Sequence, residues 1–186
     1  MSEPIPDSIE LDGDGLLLRP YRAEDSRALA AAVRESADSV GAWLPWCHTD
    51  YSETEADAWI THCAEGWRSG EHFAFAAFDA NTAQFLGSAG LNQRNRPHNF
   101  MNLGYWVRAS RQGNAIAVHA ARLVAAFGFG QVGLTRIEIV TALNNRASRR
   151  VAEKCGAAFE AVARNRIVDR GNPVDAAVYA LVPAPL

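Results

Sequence analysis

Residues 102–117 constrain the fold more than any other part of the chain, because they join a strand pattern to a helix pattern through one short turn. An aromatic, β-prone run ends at Val107, a polar turn containing Gly113 follows, and an Ala-rich helical pattern continues to about Phe129. A helix that begins directly after such a turn presents free backbone N–H groups and the positive end of its dipole, so it can hold an anion. Because the turn contains no Lys, backbone amides would hold the phosphate, which suits a diphosphate that is bound and not cleaved. Taken alone, the same pattern is also typical of an ordinary strand-to-helix connection.

Composition limits the classes of protein that this chain can belong to. Its 186 residues, 48% hydrophobic and 21% charged, fit a single globular domain over 1–186. The net charge of −3 argues against a general nucleic-acid binder and leaves room for an amine-bearing substrate. Residues 1–14 are polar, acidic and Pro-rich, so we expect a poorly ordered tail and no signal peptide, and no apolar run is long enough to span a membrane. Three cysteines without metal-type spacing predict free thiols in a cytoplasmic protein and no metal site.

Hydrophobic periodicity predicts helices and strands in an α/β or α+β order, which forms one sheet covered by helices. Strands are predicted near 16–18, 72–78, 85–93, 101–107, 136–140, 159–169 and 174–181. Helices are predicted over 24–35, from the capping box at Ser52 to about Arg68, after Gly113, and over 145–154. The segment 39–46 is expected to be short and irregular.

Two segments carry a resemblance to a known superfamily. Residues 112–117, Gln-Gly-Asn-Ala-Ile-Ala, are similar to the acyl-CoA-binding motif of the GNAT N-acetyltransferases, with Ala115 where the family usually has its second Gly. An Ala fits there if its backbone is helical and is strained if its φ is positive. Residues 144–157, which include Asn145, Ser148 and Glu153-Lys154, resemble the signature of the ribosomal-protein N-terminal (serine/alanine) acetyltransferases. Leu18-Arg19-Pro20, Trp43-Leu44-Pro45-Trp46 and Gly104-Tyr105-Trp106-Val107 fit the same branch.

The resemblance implies a fold, a cosubstrate and an activity. The implied fold is a single mixed, mostly antiparallel sheet that is splayed at its centre, where strand 103–107 leaves strand 136–140. The cosubstrate is acetyl-CoA, and the acceptor is a primary amine, foremost the N-terminal α-amine of a protein. The residues that would bind the cosubstrate are Tyr105, Trp106, Val107, Gln112, Gly113, Asn114, Ala115, Ile116, Ala117 and Asn145. The alternatives are a small-molecule amine acceptor and a CoA-binding module without catalysis. A monomer and a homodimer both stay open.

Catalytic roles follow from the same resemblance. Ser148 would protonate the leaving thiolate, because the helical Tyr that many relatives use is replaced by Ala152. A backbone N–H of Tyr105 or a neighbour would polarise the thioester carbonyl. Asn145 would be both an N-cap and a ligand of the pantetheine arm.

The acceptor side is less defined by the sequence. Asn102 stands where related enzymes often carry a Glu base, so we expect no strong base and an acceptor amine of low pKa. His72, His98 and Glu71 are the alternative bases. Trp43 and Trp46 would line the acceptor groove, whereas Trp59 and Trp67 are expected to pack internally.

Overall fold

The computed structural model describes residues 5, 6 and 8–183, and its centre is an eight-stranded sheet in the order β1-β2-β3-β4-β5-β6-β8-β7. The strands are β1 (Leu11–Gly13), β2 (Leu16–Pro20), β3 (Phe73–Asp79), β4 (Phe85–Asn95), β5 (Phe100–Val107), β6 (Arg136–Ala142), β7 (Ala158–Asp169) and β8 (Asn172–Leu181). The helices are α1 (Ser26–Glu35), α2 (Glu53–Ser69), α3 (Ile116–Gly130) and α4 (Arg146–Lys154). The predicted fold class and the order of its elements are confirmed.

The N-terminal segment differs from the prediction. Leu11 to Gly13 form β1, which pairs antiparallel with β2, so this part of the expected tail belongs to the sheet. The predicted tail also includes residues 1–4 and 7, which lie outside the described residues.

Local sequence sets the bounds of the helices. Ser52 caps α2, because its side chain accepts a hydrogen bond from the Glu55 N–H while the Glu55 carboxylate accepts from the Ser52 N–H. Gly70, in the left-handed region with φ 68°, ends the same helix. The predicted capping box is therefore present.

The sheet separates two hydrophobic clusters. On one face, α3 packs on residues such as Phe75, Leu91 and Leu103, and Trp67 is buried there. On the other face, α1 and α2 cover Ala74, Ala76, Phe78 and Phe85. Trp59 is not buried as expected, because it is 39% exposed.

The sheet is open at its centre, as predicted. β5 and β6 are parallel and pair only at Phe100–Arg136, Met101–Ile137 and Asn102–Glu138. β5 stays paired with β4 as far as Val107, and β6 stays paired with β8 as far as Ala142. The two halves of the sheet therefore diverge after Asn102, which leaves a cleft between two strand edges.

Candidate active site

The open edge of β5 presents alternate backbone groups to the cleft. The Arg108 N–H donates to the Leu86 carbonyl at 2.9 Å, on the β4 side. Because the polar groups of an antiparallel strand alternate between its two edges, Trp106 and Gly104 also face β4, whereas Val107 and Tyr105 face the cleft. The Val107 carbonyl accepts a hydrogen bond from Gln112 Nε2 at 3.0 Å, which agrees with this assignment.

The turn before α3 is an arrangement of free donors. Within the described residues, the backbone N–H groups from Gly113 to Ala117 have no hydrogen-bond partner. The first bonds of the helix are from Val118 and His119 to the Ala115 carbonyl. Gly113 has φ 84°, and a Cβ there would meet no atom within 4 Å, so the space above the turn is open. These amides, together with the positive end of a 15-residue helix, fit a diphosphate.

Polar side chains hold this turn in shape. Gln112 ties it to Val107 and to Ser39 Oγ, and the Asn114 amide donates to the carbonyls of Arg111 and Gln112. The side chains of Gln112 and Asn114 are thus bonded within the protein, and so is the Gln112 N–H, which donates to the Ala109 carbonyl, whereas the Asn114 N–H is left to contact a ligand.

The backbone conformation of Ala115 shows whether this residue is strained, which the sequence left open. Its φ of 58° and ψ of 5° lie in the left-handed region, and it occupies the N-cap position of α3. An L-residue other than Gly is strained there by about 1–2 kcal/mol. The conformation is thus the one that the family's Gly would adopt, and this chain maintains it with an Ala.

The arginines beside the turn are bound to other groups. Arg108 forms an ion pair with Glu35, whose carboxylate also accepts the Ser110 N–H at 2.8 Å. These contacts lower the pKa of Glu35 to about 2, with the Arg108 hydrogen bond as the largest cause. Arg111 donates to Gln84. Arg111 uses its Nε and Nη2 on a neutral amide, so its positive charge remains beside the free backbone amides of the turn.

The start of α4 brings a second set of groups to the cleft. Asn145 is buried, and its side-chain oxygen accepts the Ser148 N–H at 3.0 Å, so it is an N-cap. This cap fixes the first turn of α4 and places Ser148 toward β5.

Tyr105 and Ser148 are in contact. The Tyr105 hydroxyl donates to the Ser148 carbonyl at 2.9 Å and lies 3.1 Å from Ser148 Oγ. Burial raises the pKa of the Tyr105 phenol, so it stays protonated. Sequence reasoning assigned Tyr105 a role through its backbone and missed its hydroxyl. The two residues are 43 positions apart, and nothing in their local patterns indicates the contact.

A buried tyrosine joins α4 to the sheet. The Tyr179 hydroxyl donates to Glu153 Oε1 at 3.0 Å and accepts from Arg149 Nε at 3.1 Å. Tyr179 is fully buried. Because it joins β8 to α4, it fixes the helix that carries Ser148.

The opposite face of β5 carries aromatic residues. The Trp46 and Trp106 rings meet edge to face at 5.7 Å, and Trp43 and Trp46 are exposed. Arg170, at the tip of the β7–β8 hairpin, donates to the Gly41 carbonyl at 3.0 Å and so brings that tip to the loop bearing both tryptophans. Trp106 was expected among the cosubstrate residues. Its backbone faces β4 and its ring packs with Trp46, so the structure places it on the other side of the strand.

Asn102 lies where the two halves of the sheet separate. Its Oδ1 accepts the Val140 N–H at 3.3 Å, and its Nδ2 donates to Asn92 Oδ1 at 3.0 Å. Opposite it on β6 stands Glu138, a carboxylate that sequence reasoning missed. Arg136 binds Glu138 at 3.0 Å and also pairs with Glu160, so the two carboxylates share one guanidinium.

The three alternative bases lie elsewhere. His72 stacks on His62 at 4.5 Å, its Nε2 is buried without a partner, and burial lowers its pKa. His98 is exposed on the β4–β5 loop. Glu71 is exposed and pairs with Arg96. The structure brings none of these three into contact with Tyr105 or Ser148.

Two further findings concern the described residues only. They contain no group of three or more His, Cys, Asp or Glu side chains arranged to hold a metal ion. Their helices include none whose length and apolar character would suit a membrane crossing.

A splayed sheet with donor amides beside its opening and a hydroxyl pair in it defines an acyl-CoA N-acyltransferase, and comparison with known proteins agrees. The chain belongs to the family described as acetyltransferase (GNAT) domain, whose model matches residues 15–158. YdaF of Bacillus subtilis (strain 168), provisionally assigned as a ribosomal N-acetyltransferase, is 26% identical over 174 residues, 90% of this chain and 91% of the relative.

Solved structures show the same fold. A Vibrio cholerae protein, provisionally assigned as a ribosomal-protein-serine acetyltransferase, superimposes with a TM-score of 0.85 and 28% identity over 96% of this chain and 100% of its own. Mycobacterium smegmatis RimJ, in complex with CoA-disulfide, has a TM-score of 0.81 and 23% identity, covering 90% of this chain and 81% of its own. The second likeness is evidence of the fold alone.

Proposed function

We propose that this protein transfers the acetyl group of acetyl-CoA to the N-terminal α-amine of a protein, a ribosomal protein foremost, in the cytoplasm. The observation that carries the choice of acceptor is the fixed amide of Asn102, where a carboxylate base is common. A side-chain amide is not basic, and both polar atoms of this one are held by Val140 and Asn92, so Asn102 does not act as a base. An α-amine titrates near pH 7.7–8.0 and is partly neutral without a base, whereas a lysine amine near 10.4 is not.

The cosubstrate would lie along the cleft. The diphosphate would be held by the N–H groups of 113–117, and the pantetheine arm would pair with the open edge of β5 at Tyr105 and Val107. The Val107 carbonyl already accepts from Gln112, so the N–H of Val107 is the group left to pair with the pantetheine arm. Asn145 would contact the same arm.

The chemistry is a direct transfer. The neutral amine nitrogen attacks the thioester carbonyl, a C–N bond forms and the C–S bond breaks, and the ammonium proton passes to water. A backbone N–H near Tyr105 would stabilise the oxygen charge. Ser148 Oγ would give its proton to the thiolate sulfur and recover one from water. Tyr105 Oη donates to the Ser148 carbonyl and lies 3.1 Å from Ser148 Oγ, so it would hold this residue in place.

Two relatives support the acceptor class. Both the Vibrio cholerae structure and YdaF are assigned, provisionally, to ribosomal acetylation. The three cysteines are free and buried, as in a protein of a reducing compartment.

The experiment is a comparison of two amines in one peptide series. Peptides with a free N-terminus and no Lys are compared with N-acetylated peptides carrying one Lys, at saturating acetyl-CoA, with release of free CoA and the peptide mass as readouts. We expect acetylation of the first set, with a rate that rises with pH and levels off near the acceptor's own pKa. Turnover of the Lys set alone, or of small amines alone, would contradict the proposal. A plateau fixed near pH 6–7 for every acceptor would instead indicate a His base.

A further inference from the structure

A directed chain of hydrogen bonds starts at the point where the sheet divides. The Val140 N–H is a donor of β6, and β5 no longer pairs with β6 at that position. Asn102 Oδ1 accepts this N–H, and Asn102 Nδ2 donates to Asn92 Oδ1. A backbone N–H can only donate, so it fixes the orientation of the Asn102 amide, and that amide in turn fixes the orientation of the Asn92 amide.

The last donor of this chain lies on the face of β4 and β5 that also carries Trp106. Asn92 Nδ2 has no hydrogen-bond partner among the described residues, and it would lie 3.5 Å from a Cβ placed on Gly104. Gly104 pairs with Gly90 across β4 and β5, so two residues without side chains form the surface beside the amide. Asn92, Asn102 and both glycines are half-buried, so a substrate can reach them.

The far end of that glycine floor is closed by Trp106 and Trp46. Four residues of strand separate Asn102 from Trp106, or about 13 Å. The groove therefore has an amide donor at one end, a flat floor and an aromatic wall at the other end. An outward NH2 group on such a floor suits a carbonyl oxygen.

We propose that Asn92 is a specificity-determining residue whose Nδ2 donates to the first carbonyl oxygen of the acceptor, with Asn102 as its positioning residue. This inference rests on the proposed function and names the residue that would select its acceptor class, the α-aminoacyl compounds, in which one carbon separates the amine from a carbonyl. A lysine side chain or an alkylamine lacks that oxygen. The selectivity thus arises from a donor that would be left unpaired by the wrong amine.

The test compares a peptide that the wild-type enzyme acetylates with its alkene isostere, in which the first CO–NH is replaced by CH=CH. The alkene removes the electron-withdrawing carbonyl and so raises the pKa of the amine, and kcat/KM is therefore compared at a pH where both amines are neutral. There we expect kcat/KM for the peptide to exceed that for the isostere at least about tenfold, which corresponds to about 1.4 kcal/mol. Asn92→Asp keeps the oxygen that accepts from Asn102, replaces the outward NH2 group by an oxygen and adds a negative charge. In this variant the ratio should fall to about one. Because both amines are neutral at that pH, the ratio cancels any effect of the new charge on the attacking amine.

Asn102→Asp tests the relay without touching Asn92. Its carboxylate still accepts from Val140 but no longer donates, so the Asn92 amide should turn over and direct its oxygen outward. The ratio should fall as in Asn92→Asp. Asn81→Asp, an exposed change of equal charge on the β3–β4 turn, should leave the ratio unchanged.

The outcomes are distinct. If no peptide is acetylated, the proposed function fails and this inference with it. If peptides are acetylated but wild type does not distinguish the isostere, or if folded Asn92→Asp keeps the wild-type ratio, only the inference fails. Thermal denaturation identifies a variant that has not folded. If one of Asn92→Asp and Asn102→Asp does not fold, the ratio measured for the other variant tests the inference.

Discussion

The N-termini of α3 and α4 are both next to the cleft, yet they are built in opposite ways. α4 begins with Asn145, whose side chain satisfies the Ser148 N–H. α3 begins with Ala115, whose methyl group cannot form a capping hydrogen bond. The N–H groups of 113–117 have no partner among the described residues.

The difference separates two uses of a helix start. A capped start is rigid and holds a side chain, here Ser148, in one place. An uncapped start keeps its donors for a ligand and accepts a cost in stability, which the strained Ala115 increases. The capped helix should therefore matter for the rate and the uncapped one for cosubstrate affinity. Four substitutions test this division.

The largest expected effect is on the rate. Ser148→Ala removes the hydroxyl that would protonate the thiolate, so kcat should fall by up to about 10²-fold while acetyl-CoA affinity changes little. Steady-state kinetics and calorimetry measure the two quantities. Ser69→Ala, at the end of α2, is the control. A folded Ser148→Ala enzyme with wild-type kcat would show that α4 does not supply the acid.

Affinity should change most at the uncapped start. Gly113→Val places a branched side chain where the diphosphate would lie and strains a φ of 84°. Calorimetry should show acetyl-CoA binding weakened at least about tenfold, or about 1.4 kcal/mol. Gly133→Val is a matched control, because Gly133 has φ 73° and equally open surroundings beyond the other end of α3. Equal loss of affinity in both variants would mean that backbone strain, and not the ligand contact, is responsible.

Removing the cap should make α4 resemble α3. Asn145→Ala leaves the Ser148 N–H unsatisfied, and it should lower the free energy of unfolding by about 1 kcal/mol. Chemical denaturation measures this loss. If Asn145 also contacts the pantetheine arm, acetyl-CoA affinity falls as well. Asn145→Asp retains a capping oxygen and should recover most of the stability, and failure to do so would argue against the capping role.

The smallest effect should be a gain. Ala115→Gly relieves the left-handed conformation at φ 58°, offset by the greater freedom of Gly in the unfolded chain. A net increase of about 0.5–1 kcal/mol in the free energy of unfolding is expected from the same denaturation experiment. Ala117→Gly, inside the first turn of α3, should instead destabilise. A loss of stability in Ala115→Gly would show that Ala115 is not strained.

Local patterns were sufficient for most of the fold, because each helix and long strand has its own periodicity and cap. They did not reveal β1, which is short and polar and forms only by pairing with β2. They also failed for Trp59, since helical periodicity alone does not say which side of α2 meets the sheet.

The site was predictable where it depends on a contiguous segment. The turn at 112–117 and the cap at Asn145 lie within single motifs. The Tyr105–Ser148 contact depends on how α4 docks, and the Asn92–Asn102–Val140 chain depends on the register of three strands with an irregularity after Asn92. No pattern within one segment contains that information. The sign of φ at Ala115 was undecided for the same reason, since it is imposed by the connection to β5.

The incomplete pairing of β5 with β6 has a consequence for how the protein responds to its surroundings. Few residue pairs join the two halves of the sheet, so a cosubstrate that pairs with the open edge would complete it as an additional strand. Binding to the folded state alone stabilises a protein by mass action, by about 2.7 kcal/mol when the free ligand is at a hundred times its dissociation constant. The lifetime of this protein in a cell would then follow the acyl-CoA supply, and starvation for acyl-CoA would lower its abundance as well as its activity.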